Sequence, residues 1–205
     1  MNLTFANLAS LKAWLLPETW QSETQKDDII EALGLGVAGA IETFCNRQFG
    51  REDSYQTLHP ANEAVLHLAR YPLEEKPTVE VRRGSGTAFE SVSDTVVQWR
   101  LDIGQVVFNG EVGSSEDVLR VTADGGYWVD DSEDNDGELP EGATAMPKAL
   151  VSAWQMQCRH LWTQMKLFGN TGENPAEQQN GHLLSGFDLL PVVRNMVAPY
   201  RRFTL

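Results

Sequence analysis

The spacing of apolar residues changes twice along the chain, and this change constrains the fold more than any other feature. Near the N-terminus and again after Pro147, apolar residues recur every three or four positions, as on one face of an α-helix. Between about Ser54 and Val129 they alternate with polar residues, as in half-buried strands, and the turn residues 102–104 between two such runs indicate a hairpin. The pattern predicts an α+β fold, in which a small helical bundle carries an inserted antiparallel β module of five or six short strands.

The same pattern, together with helix start and stop residues, sets the expected boundaries. Pro17 ends the first helix, Thr24 and Asp27 resemble a capping box before the second, and Pro147 and Gly169 bracket the third. We expect a single domain, 1–205, composed of N-terminal helices (1–50), the β module (54–129), an acidic loop (130–142), a long helix (147–169), a linker (170–187), and a short helix with a C-terminal arm (188–205).

Three glycines interrupt the second predicted helix. Gly34, Gly36 and Gly39 each cost about 1 kcal/mol of helix stability relative to Ala. Such residues are retained where another backbone approaches the helix closely, either within the subunit or between subunits. We take them as candidates for subunit packing; the alternative is a helix that is merely weakened.

The net charge of −13 is concentrated in one segment. Residues 111–141 contain 11 Asp and Glu and one Arg, a net charge of −10, whereas residues 142–205 carry a net charge of +3. This balance argues against a protein that wraps nucleic acid by neutralising phosphates. The densest acidic positions are Asp130, Asp131, Glu133, Asp134, Asp136 and Glu138.

The acidic segment does not match a calcium-binding loop. If the loop glycine is aligned on Gly137, position 1 is Ser132 and position 12 is Ala143, so a strong first ligand and the bidentate Glu are both missing. A solvated acidic loop is the favoured interpretation, and we predict no metal site.

No arrangement of residues typical of catalysis or cofactor binding is found. The four histidines form no zinc-ligand spacing, and no phosphate-binding glycine loop or nucleophile elbow occurs. Cys45 and Cys158 fall within helical patterns and are expected to be small buried hydrophobic residues. The sequence contains no run of 18 apolar residues, so it predicts no membrane span. We therefore expect no enzyme, no cofactor and no membrane association, although paired carboxylates of a hydrolase leave no positional signal in a sequence.

Several short segments follow one another in a characteristic order: 8–15 (LASLKAWL), 27–33 (DDIIEAL), 41–49 (IETFCNRQF), 66–73 (LHLARYPL), 121–127 (VTADGGY), 146–150 (MPKAL) and 199–202 (PYRR). Taken in this order, they resemble the head–tail connector (head-completion or adaptor) proteins of tailed bacteriophages and prophages. The resemblance covers most of the chain. The chain departs from the shorter members of the family through a longer β region and the acidic loop.

The resemblance implies a structural virion protein without catalysis. Proteins of this family form a ring of about a dozen subunits beneath the portal, extend the DNA channel, and supply a docking surface for the tail or stopper protein. The implied location is the head–tail interface of the virion, after synthesis in the host bacterial cytoplasm. The alternatives are an assembly chaperone or monomeric binding module and, from another class, a carboxylate-dependent hydrolase.

Two segments receive roles from this resemblance. The C-terminal arm is expected to face the portal and offers aromatic and Arg residues typical of interface hot spots: Pro199, Tyr200, Arg201, Arg202, Phe203 and Leu205. The acidic residues would line the channel or its rim, where they repel DNA rather than bind it. A solubilising loop on the outer surface is the alternative for these acids.

Overall fold

A computed structural model describes residues 3–22, 24–86, 88–130, 137–169 and 188–202, with the backbone alone for residues 165–169. It confirms the α+β class. The helices are α1 (Leu8–Leu15), α2 (Asp27–Cys45), α3 (Lys148–Gly169) and α4 (Pro191–Val197). The strands are β1 (Glu52–Pro60), β2 (Val65–His67), β3 (Thr78–Arg82), β4 (Glu90–Ser91), β5 (Val96–Arg100), β6 (Gln105–Phe108), β7 (Val118–Gly125), β8 (Tyr127–Trp128) and β9 (Thr144–Ala145).

The chain divides into two compact units. The helical unit comprises Met1–Arg47, Val129–Glu138 and Met146–Leu205. The β unit comprises Gln48–Trp128 and Leu139–Ala145, and is inserted in the chain between α2 and α3.

Local signals explain most helix ends. Asn7 caps α1, because its Oδ1 accepts a hydrogen bond of 2.8 Å from the Ser10 N–H. α2 ends at Asn46, which adopts the left-handed conformation (φ 51°) common at helix C-termini. The capping box expected from Thr24 does not form: α2 starts after Lys26, which makes no side-chain capping bond, and Thr24 contributes its carbonyl to the Asp27 N–H.

The core of the helical unit surrounds Trp154 of α3. The Trp154 side chain is fully buried, its ring lies 6.2 Å from that of Phe5, and its Nε1–H donates to the Gly34 carbonyl at 2.9 Å. Leu11, Ile30 and other apolar residues of α1 and α2 complete this core. The indole hydrogen bond matters because a buried N–H without a partner would cost stability.

The β unit contains a four-stranded antiparallel sheet in the order β1-β7-β3-β4 and a three-stranded antiparallel sheet in the order β2-β6-β5. Alternate residues of β7 are buried, which is the period-two pattern seen in the sequence. Side chains of both sheets form one core, including Val79, Leu119, Val121, Leu66 and Val106.

Two further strand features refine the prediction. The hairpin expected around 102–104 is confirmed between β5 and β6, and Gly104 there has a φ of 62°, which favours glycine. β8 and β9 form a short parallel pair of two residues each. With that pair the described residues contain nine strands, more than the expected five or six, and three of them (β4, β8 and β9) have two residues each, too few to show a period.

Candidate functional site: an interaction surface

A buried glutamine fixes the start of the C-terminal segment. Gln157 of α3 is 1% exposed, and its side chain binds the backbone ahead of α4 at two points. Its Nε2 donates to the Asp188 carbonyl at 3.3 Å, and its Oε1 accepts from the Leu190 N–H at 2.9 Å. Both polar ends of a buried amide are thus satisfied. The predicted short helix begins at Pro191 rather than at Asp188, and Leu190, the residue before it, has a non-helical backbone (ψ 143°).

The first part of the predicted arm lies against the end of α2. Residues Ala198–Tyr200 form a 3₁₀ turn, after which the Arg202 N–H donates to the Cys45 carbonyl at 2.8 Å. The Arg201 guanidinium lies 5.4 Å from the centre of the Phe44 ring. Positive charge at a helix C-terminus is favourable. Phe203 and Leu205 lie outside the described residues.

The three predicted packing glycines lie in different surroundings. Gly34 is buried, and a Cβ built there would approach the side chains of Leu11, Leu3 and Trp154 at 3.0–3.1 Å. A Cβ at Gly39 would meet no atom within 4 Å. Gly34 is therefore explained by packing inside the subunit, whereas nothing in the described part of this chain occupies the space beside Gly39.

Gly36 and Gly39 line an open groove between α2 and the α4 segment. The groove has a volume of about 350 Å³. Its walls are Gly36, Gly39, Ala40, Thr43 and Phe44 of α2, with Leu189 and Arg194 from the other side. Arg194 is exposed and pairs with the Asp188 carboxylate at 2.9 Å, also at the surface. The Arg201 guanidinium over Phe44 adds a second cation at the same groove.

Of the predicted acidic channel residues, Asp130 and Glu138 are described. The Asp130 Oδ2 accepts a hydrogen bond from the Gly137 N–H at 2.9 Å, and the Asp130 carbonyl accepts one from the Asn7 amide at 3.3 Å. Glu138 is exposed. Asp131, Glu133, Asp134 and Asp136 lie outside the described residues.

The thiols of both cysteines are buried, and the Cys45 Sγ donates to the Val197 carbonyl at 3.6 Å. Burial raises the pKa of the Cys45 thiol to about 11, opposed by the nearby positive charge of Arg47. Burial also raises the pKa of the Cys158 thiol well above its usual range. Both residues fit the sequence interpretation of small buried hydrophobic side chains.

In the part of the chain that the structure describes, no group of three or more His, Cys, Asp or Glu side chains is arranged to hold a metal ion. Within the same residues, no helix is both long enough and apolar enough to span a bilayer. The α2–α4 groove was not foreseen from the sequence because it depends on residues more than 140 positions apart.

Comparison with known proteins gives a match of fold alone. No family model matches the chain, and no curated protein matches it in sequence. Among solved structures, a chain in the neck of an empty gene transfer agent (GTA) particle, computed with C6 symmetry, aligns with a TM-score of 0.61 and 9% identity over 99% of this chain and 92% of that one. A chain from the virion of a native GTA particle aligns with a TM-score of 0.61 and 10% identity, over 100% of this chain and 93% of that one.

Proposed function

We propose that this protein is a structural component of the neck of a tailed-phage-like particle, where copies assemble into a ring that joins head to tail and extends the DNA channel. The observation that carries the proposal is the fold shared with a GTA neck chain over nearly the full length of both chains. A match of this extent includes both the helical unit and the inserted β unit. The order of short sequence segments described above supports the same class independently.

The surfaces of the helical unit are consistent with a protein that works by contact. An open groove with small and apolar walls, two exposed arginines and the large exposed side chains of Trp14 and Trp20 suits binding to other protein chains. In this role the protein carries out no chemistry, and its partners are further copies, the portal protein, and a tail or stopper protein.

The C-terminal arm is the proposed portal contact. Because Arg201 and Arg202 engage α2, the arm is best tested by a variant that ends after Arg202 and keeps those contacts. In co-sedimentation with the purified cognate portal, we expect this variant to bind at least tenfold more weakly than the full chain, with an unchanged circular dichroism spectrum.

A matched control is Val97→Ala, which trims an exposed side chain of the β unit and should leave portal binding unchanged. Full binding by the truncated variant would assign the portal contact to another surface. If the full-length chain itself fails to bind the portal, the proposed function is wrong.

The acidic segment is proposed to line the channel or its rim, where like charge keeps DNA from adhering. The test replaces Asp130, Asp131, Asp134 and Asp136 by Asn and measures DNA release from assembled particles. Slower or incomplete release is the expected result. Unchanged release would instead assign the acids to the outer surface as a solubilising loop.

A further inference from the structure

The groove between α2 and the α4 segment is lined by a glycine, Gly39, whose cost to helix stability no contact within the described residues explains. Gly39 lies in an exposed part of α2 and weakens the helix by about 1 kcal/mol relative to Ala. A Cβ at this position would meet no atom within 4 Å, so no packing contact among the described residues of the chain requires glycine here. Gly34, by contrast, is required by its buried neighbours.

The walls of the groove are suited to a close approach by another chain. Gly36, Gly39 and Ala40 present almost no side chain, so a partner could reach the helix backbone, while Phe44 and Leu189 supply apolar contact. The rim is positive, with the exposed guanidinium groups of Arg194 and Arg201. The Arg194–Asp188 pair lies at the surface, where such pairs contribute little, so Arg194 is available for a second carboxylate.

A surface of opposite character lies at the other end of α2. We define the α1–α2 corner as Glu18, Trp20, Asp28 and Ile29. Trp20 is 42% exposed and Ile29 is 49% exposed, and both carboxylate residues are exposed. The Lys26 ammonium lies 4.2 Å from the centre of the Trp20 ring, so the corner combines large apolar side chains with one cation and two exposed carboxylates, and these carboxylates complement the positive rim of the groove.

One copy cannot fill its own groove with this corner. Ile29, the corner residue nearest the groove along α2, lies seven positions before Gly36, the first residue of the groove. At 1.5 Å per residue this is a distance of about 10 Å along a rigid helix. Contact between the corner and the groove therefore requires two copies of the chain.

From this complementarity we infer that the α2–α4 groove of one subunit receives the α1–α2 corner of the next subunit. Trp20 and Ile29 pack onto the glycine-lined wall, and Glu18 and Asp28 approach Arg194 and Arg201. The corner and the groove of each copy engage different neighbours, so the contact is heterologous, and a repeated heterologous contact closes into a ring when the rotation between successive copies closes. This inference rests on the proposed function, and it names the surface through which the ring is built.

Two complementary variants test the pairing. Gly39→Leu fills the groove and leaves the corner intact, and the open space at this position predicts that the variant folds. Trp20→Ala combined with Ile29→Ala removes the corner and leaves the groove intact. By native mass spectrometry, we expect wild-type chains to form assemblies larger than dimers and each variant alone to require at least a tenfold higher concentration to assemble.

Mixing the variants gives the decisive result. The corner of the Gly39→Leu chain can still enter the groove of the other variant, so the mixture should form a complex of one copy of each and nothing larger. Val97→Ala should assemble as the wild type does, and circular dichroism should show the same helix content in every variant.

Three results would overturn the inference. Assembly of either variant at wild-type concentration, or failure of the mixture to form the one-to-one complex while wild-type rings form, would place the ring contact elsewhere and leave the proposed function standing. Wild-type chains that stop at a closed dimer would contradict the head-to-tail contact. Wild-type chains that neither assemble nor bind the portal would instead remove the proposed function, and the inference with it.

Discussion

At the scale of single residues, Gly34 and Gly39 of α2 differ in their surroundings although they lie five positions apart. Gly34 is surrounded by the core side chains of Leu3, Leu11 and Trp154, whereas Gly39 borders open space.

The two glycines should respond oppositely to the same substitution. Gly34→Ala places a methyl group 3.0–3.1 Å from buried side chains, so overpacking should exceed the gain in helix propensity and lower the free energy of unfolding by about 1 kcal/mol. Gly39→Ala should raise it by up to about 1 kcal/mol. Urea unfolding followed by circular dichroism measures both, and a Gly34→Ala variant as stable as Gly39→Ala would contradict the packing described here.

The two cysteines should be inert in the native protein. With the pKa of Cys45 at about 11, only about one thiol in a thousand is ionised at pH 8, and burial raises the pKa of Cys158 as well. We expect no release of colour with a thiol-specific disulfide reagent at pH 8, and reaction of two thiols per chain after unfolding in guanidinium. The folded form favours the protonated thiol of Cys45, so this contribution to stability is present below about pH 9 and is lost as the pH rises towards 11. Rapid native reaction at pH 8 would show that a thiol is exposed.

At the scale of elements, periodicity was a good guide where segments are long. The helical pattern predicted α1, α2 and α3 to within a few residues, and the hairpin of β5 and β6 was identified from its turn. Among the shortest elements, β8 and β9 were not predicted. The parallel pair β8 and β9 has two residues per strand, too few to show a period, and it depends on partners 17 positions apart. The same holds for the bridge from Gln157 to the segment before α4, which joins residues 31 and 33 positions apart.

Because of these two hydrogen bonds, we expect the Gln157 side chain to control the docking of α4. Gln157→Ala removes two hydrogen bonds from a buried site, so the Asp188 carbonyl and the Leu190 N–H lose their side-chain partner, which should cost about 1–3 kcal/mol. Amide hydrogen exchange in residues 191–197 should accelerate more than exchange in α1. Gln155→Ala, on the partly exposed side of the same helix, is the control and should change stability by less than about 0.5 kcal/mol. Equal exchange in both variants would show that α4 is held by its apolar contacts alone.

At the scale of the whole molecule, the distribution of the net charge of −13 along the chain is more informative than its total. Most of the excess lies in residues 111–141, whereas the positive charges of the C-terminal third include Arg194 and Arg201 at the groove. A chain with opposite charges on different surfaces is suited to contact with its own copies. The overall acidity at the same time disfavours adhesion to DNA. Composition alone could exclude a nucleic-acid wrapper, but the assignment of charge to surfaces required the fold.

The central claim is that this chain builds a ring in the neck of a phage-like particle. The most direct measurement is electron microscopy of the purified chain, alone and after incubation with the cognate portal, with particle mass determined in parallel. The account predicts symmetric rings with an open centre, stacked coaxially on the portal when the portal is present. A single-copy mass under both conditions, with no added density on the portal, would contradict it.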